Sequence, residues 1–96
     1  MTDEPAERFD AEALIAGLEP FGGGKSERRA VARLARDLAD SGRYAGDAGI
    51  ELTAEHVLDQ LADAPDGGPA DRWNWWIGSL EVAYGGYAEF QIRRLG

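Results

Sequence analysis

Apolar residues recur at three- and four-residue steps in four separate stretches of this chain, the spacing that places side chains on one face of a helix. The first stretch aligns Leu14, Ile15 and Leu18. Asp10 stands where its carboxylate can cap the free amides of the opening turn, and Phe9 with Leu14 has the spacing of a hydrophobic staple. Pro20 and the glycines behind it stop this helix. The second stretch fits a helix from Ser26, read as its N-cap, to about Ser41, with Val31, Leu34, Ala35 and Leu38 inward and Gly42 as the stop. The third starts at Thr53. Leu52 and Val57 repeat the staple spacing around that threonine, and Val57, Leu58 and Leu61 form the buried stripe. Between the second and third, "GRYAGDAGIE" reads as a glycine-rich loop plugged by Tyr44 and Ile50.

"DAPDGGPAD" breaks the chain again, and a fourth helix is expected from Asp71 as its cap. Trp73, Trp76, Ile77, Leu80, Tyr84 and Tyr87 form its apolar stripe. Asn74, Gly78, Glu81, Gly85, Glu89 and Arg93 form a small or polar stripe with the same steps, and Glu89 with Arg93 has the favourable order for an i,i+4 pair. Both stripes cross Gly85-Gly86 in register, which predicts one long helix kinked at the glycines. Each glycine there costs about 1 kcal/mol against alanine. The competing reading ends the helix at Tyr84 and makes "YAEFQIRR" a strand, with Ala88, Phe90 and Ile92 on one face. The fold class expected is all-α: a small four-helix bundle or orthogonal helical array with a long aromatic C-terminal helix. Residues 1–8 read as an acidic flexible tail, and 9–96 as a single helical domain.

The 96 residues suit one domain, and 44% hydrophobic with 29% charged residues is a globular composition. With no cysteine, disulfides, thiolate nucleophiles and Cys-ligated metal centres are excluded. No apolar run approaches a membrane span, and "MTDEPAERFD" lacks the character of a targeting peptide, so a cytoplasmic protein is expected. The net charge of −8 argues against free binding of duplex nucleic acid, which rewards basic surfaces. Lys25 is the single lysine against nine arginines. An acidic, lysine-poor chain rich in alanine and glycine resembles proteins of salt-accumulating haloarchaea, where salt screens carboxylate repulsion. A high-GC actinobacterial composition is the rival.

Three features invite chemistry. "GGGKSERR", residues 22–29, looks like a phosphate loop. The G-x-x-x-x-G-K-[ST] pattern, however, would need glycine at Glu19, and no preceding strand is indicated. A generic anion site at Lys25 and Ser26 is the weaker version, and a plain connector the simpler one. Arg28, Arg29, Arg33 and Arg36, with Arg43 nearby, form a basic stripe suited to an acidic partner or to nucleic acid, or merely a solvated face. The loop to the next helix is too long for a helix-turn-helix. His56, the single histidine, has Gln60 and Asp63 on its own helix but no second strong metal ligand, and is read as solvated. Ser26, Ser41 and Ser79 lack nucleophile contexts, so no catalytic residue, metal or cofactor is expected.

Of the three tryptophans at 73, 75 and 76, two share a face with Leu80, and Trp75 points elsewhere, toward the side of Val82. The function expected is a non-enzymatic protein–protein interaction module, homo- or hetero-oligomeric, with Trp75, Val82, Gly86 and Ile92 as its interface. The alternatives are a regulatory protein contacting nucleic acid through the Arg28–Arg36 face, and an anion- or nucleotide-binding accessory subunit using Gly22–Ser26.

Overall fold

In the computed structural model, residues 9–92 are described. Expectations for the acidic tail and for Arg93 lie outside them. Five α-helices and two 3₁₀ turns build the described chain: α1 (Ala11–Gly17), a turn at Glu19–Phe21, α2 (Lys25–Ser41), α3 (Arg43–Ala48), α4 (Ala54–Ala62), α5 (Pro69–Tyr84) and a turn at Ala88–Phe90. The fold is all-α, and no strand occurs among the described residues. α2 is the hub, packing on α1, α3 and α5, while α4 bridges α1 and α5.

Local signals set the first and fourth helices. Asp10 Oδ1 accepts from the Ala13 amide at 3.0 Å, and Thr53 Oγ1 accepts from the His56 amide at 3.1 Å. Leu14, Leu18, Val31, Ala35, Leu38, Val57 and Leu61 are fully buried, as their helical spacing requires. Leu34 and Leu58 pack against that core from its edge.

Other boundaries follow from long-range contacts. α2 starts at Lys25 on an extended Gly24, so Ser26 lies inside the first turn and is not the cap. α5 starts before Asp71, with Pro69 at its first position and Gly68 as an extended N-cap. Proline fits there because its missing N–H would be unpaired in any case. The acceptor for the next amide comes from α2: Glu27 Oε2 takes the Ala70 N–H at 2.9 Å. The stretch expected as a glycine-rich loop contains α3. Gly42 and Gly49 end it on both sides in the left-handed conformation, with φ of 73° and 74°. Tyr44 is buried as a plug, while Ile50 is exposed.

The largest departure is at the C-terminal end. α5 stops at Tyr84, and the next two glycines both take φ of +84°. Neither a continuous helix nor a strand follows. The chain reverses and returns along α5 through the turn at Ala88–Phe90. The polar stripe expected to continue the helix instead holds this strap. Glu81 Oε1 accepts from the amides of Tyr87 at 2.6 Å and Ala88 at 3.1 Å. Asn74 brackets Ile92, its Nδ2 donating to the carbonyl at 3.0 Å and its Oδ1 accepting from the amide at 2.8 Å. Trp73 Nε1 donates to the Phe90 carbonyl at 2.8 Å. Tyr87 and Phe90 thereby close the core.

Candidate functional site

The tetrapeptide 73–76 sits at the centre of α5, and its four side chains divide by direction. Trp73 is 0% exposed and meets the Trp76 ring edge-on at 5.6 Å. Asn74 faces the returning strap. Trp76, 3% exposed, packs against Tyr44, whose ring centroid is 5.5 Å away. Trp75 is 42% exposed and has no ring partner among the described residues. A helix turns about 100° per residue, so a residue between two buried neighbours in this register must point outward.

Trp75 heads a face of α5 that continues through Gly78, Ser79 and Val82. Val82 is 89% exposed, an extreme value for a β-branched aliphatic residue. Ser79 Oγ donates back to the Trp75 carbonyl at 3.1 Å, so its polar atom is turned into its own helix. A Cβ added at Gly78 would meet nothing within 4 Å, so the helix face is open there. The residues expected to share an interface separate here. Trp75 and Val82 lie on this face at i,i+7. Gly86 lies beyond the helix end, and a Cβ there would stand 2.5 Å from Arg43 Nη1. Ile92 lies at the seam of α2 and α5, where it lines a shallow groove with Ser26, Glu27, Ala30 and Ala70.

The glycine loop is folded around the protein's own charges. Arg28 Nη1 donates to the carbonyls of Gly23 at 2.7 Å and Gly22 at 3.3 Å, which removes Arg28 from the outward basic stripe. The Glu27 carboxylate lies against Gly23, so close that a Cβ there would come within 2.8 Å of Oε1. An incoming phosphate would meet a carboxylate already in place. Lys25 and Ser26 are exposed beside it. Arg29, Arg33 and Arg36 remain exposed along α2, with no hydrogen bond or ring contact to a described residue. Two guanidiniums the sequence did not single out for structure carry it. Arg72 donates to the carbonyls of Gly67 at 2.6 Å and Leu61 at 3.0 Å and lies over the Phe21 ring, and Arg43 lies over the Tyr87 ring.

His56 is half-buried rather than solvated. Its Nε2 pairs with the Tyr44 hydroxyl at 2.8 Å, and its ring lies edge-on to Trp76 at 6.5 Å. No group of three His, Cys, Asp or Glu side chains among the described residues could hold a metal ion. No helix is long and apolar enough to cross a membrane among those residues.

Two phenols are held protonated by the fold. Burial raises the pKa of Tyr44, with a smaller contribution from Tyr84. Burial, followed by the hydrogen bond from its hydroxyl to Asp47 Oδ2 at 2.8 Å, raises that of Tyr87 well above 10.0. Above pH 10.0 the unfolded chain therefore releases protons that the native chain keeps. The unfolded state then binds fewer protons, so unfolding free energy falls as pH rises. Urea unfolding between pH 9 and about 11.5 is expected to show this decline, and Tyr87→Phe should flatten it while lowering stability at neutral pH.

No curated protein and no solved structure matches the chain. The WNWW domain matches residues 1–81, a span that contains Trp73-Asn74-Trp75-Trp76 and ends at Glu81, before the strap. The chain belongs to the WNWW domain family.

Proposed function

We propose that this protein is a non-enzymatic interaction module whose contact surface is the outward face of α5, with Trp75 as its anchor and Val82 beside it. The observation that carries the reading is the exposure of Trp75 and Val82 on a helix that buries Trp73, Trp76, Ile77 and Leu80; Tyr84, expected in the inward stripe, is also exposed, at the last position of the helix. Leaving Val82 almost wholly in water gives up burial worth about 1.5–3 kcal/mol for a side chain of that size, and Trp75 leaves 42% of its surface there. Tryptophan is enriched among residues that dominate binding energy, where a flat ring fills a notch on a partner. The uncharged run of Trp75, Gly78, Ser79 and Val82 on a chain of net charge −8 supports the same use. The partner is a protein, a second copy or a different chain, met in the cytoplasm. The acidic, lysine-poor composition suits a salt-rich one.

Trp75→Ala is expected to weaken association at least tenfold and to leave far-UV circular dichroism unchanged. Light scattering after size exclusion in molar potassium chloride reads self-association, and affinity capture from native cytoplasm reads a different partner. Loss of helicity in the variant would place Trp75 in the core and end the reading.

A further inference from the structure

We propose that the outward face of α2, with the shallow groove beside it, binds an acidic amphipathic segment of a partner protein. This second surface does not depend on the Trp75 face. The described residues hold seven lysines and arginines against fifteen carboxylates. The fold uses three of the seven: Arg28 donates to the carbonyls of Gly22 and Gly23, Arg72 to those of Leu61 and Gly67, and Arg43 lies over the Tyr87 ring. The other four, Lys25, Arg29, Arg33 and Arg36, are all on α2 and all exposed. At 100° per residue they fall within about 80° of its circumference and span about 16 Å of its axis. None has a hydrogen bond, ion pair or ring contact with a described residue. Asp37 and Asp40 stand four residues after Arg33 and Arg36 and still leave them unpaired, in the less favourable order for such pairs. Every described cation that the fold does not use is thus gathered on one helix face of an acidic body.

The groove decides what kind of anion fits. Exposed ion pairs alone contribute little, so an apolar contact must add to them. Ser26 and Ala30 adjoin Arg29 and Arg33 on α2, and Ala30, Ala70 and Ile92 give the groove its apolar lining. Its one carboxylate, Glu27, already accepts from the Ala70 amide. An amphipathic segment fits both features. An aliphatic side chain enters the groove, and carboxylates at helical spacing meet the guanidiniums, which hold them through paired N–H donors. Nucleic acid fits less well. α2 has no aromatic residue on which a base could stack, and a phosphate backbone longer than the stripe would run onto Asp37 and Asp40.

The probe is a synthetic helical peptide with glutamates on one face and leucines on the adjoining face. It is titrated into methyl-labelled full-length protein at low salt, where exposed charges are least screened. The Ala30 and Ile92 methyl resonances are expected to shift and those of Val82 to stay. Arg29→Gln/Arg33→Gln/Arg36→Gln should keep its circular dichroism and bind the peptide at least tenfold more weakly. Trp75→Ala should bind within twofold of wild type, which separates this surface from the α5 face. No methyl shift at millimolar peptide, shifts confined to Val82, or unchanged affinity in the triple variant would overturn the proposal. So would a single-stranded oligonucleotide that binds more tightly than the peptide, which would assign the stripe to phosphates. Should the triple variant not fold, a peptide with glutamines in place of its glutamates makes the comparison on the wild-type protein. It should bind at least tenfold more weakly, and equal binding counts against the arginine stripe.

Discussion

Trp73→Ala is expected to leave the protein largely unfolded at neutral pH. The ring is fully buried at the meeting point of α5 and the returning strap, edge-on to Trp76. Truncating a buried tryptophan costs about 3–5 kcal/mol in lost burial and cavity formation. Losing the Nε1 donor also strands the Phe90 carbonyl, for about 1–3 kcal/mol more. Domains of this kind have about 5–15 kcal/mol in total. Trp73→Phe separates the two contributions, since it keeps much of the ring and drops the hydrogen bond. Its urea midpoint should fall between wild type and the alanine variant. A Trp73→Ala protein with a midpoint near wild type would mean that the strap and ring do not close the core.

Asn74→Leu is expected to release the end of the strap while the five helices persist. Leucine has similar volume and no hydrogen-bonding atoms, so the amide and carbonyl of Ile92 both lose their partners. The seam is partly buried, which sets the cost at about 1–3 kcal/mol. The more selective readout is hydrogen exchange. The Ile92 amide should exchange at least tenfold faster, with Tyr87 and Ala88 following as the strap frays, and the Ala13 and His56 amides at the distant caps should not change. Uniform acceleration would point to global destabilisation and against a strap held from α5.

What the sequence made legible was local. Asp10 and Thr53 cap within three residues of themselves, so the sequence contains both partners of each bond. The all-α class and the inward stripes of α1, α2 and α4 follow from periodicity. So does the outward direction of Trp75, one residue off the Trp73–Trp76 face. What was not legible depends on partners far along the chain. Glu27 caps α5 across 43 residues, and Asn74 meets Ile92 across 18. α3 hides in a glycine-rich stretch because its glycines act as left-handed ends and Tyr44 is drawn inward by His56 and Trp76. The end of α5 misled for an instructive reason. Asn74 and Glu81 sit at helical spacing because they serve a chain returning along that helix, and periodicity cannot separate a stripe that extends a helix from one that receives a strap. The Gly85-Gly86 pair was the available signal, since two adjacent glycines permit consecutive positive φ angles. An interface at Trp75, Val82, Gly86 and Ile92 requires a straight helix through residue 92. With the chain reversed at Gly85, only Trp75 and Val82 remain on one face.

The three indole N–H resonances of nitrogen-15-labelled protein test the division of labour within the tetrapeptide most directly. Spectra would be recorded from micromolar to millimolar protein in molar potassium chloride, and again with an extract of the native cells. Slow solvent exchange and a fixed position are expected for Trp73 Nε1, which is bonded to Phe90, and fast exchange with a shift on association for Trp75. A protected Trp75 that neither exchanges nor moves under any of these conditions, or three resonances that shift together, would contradict it.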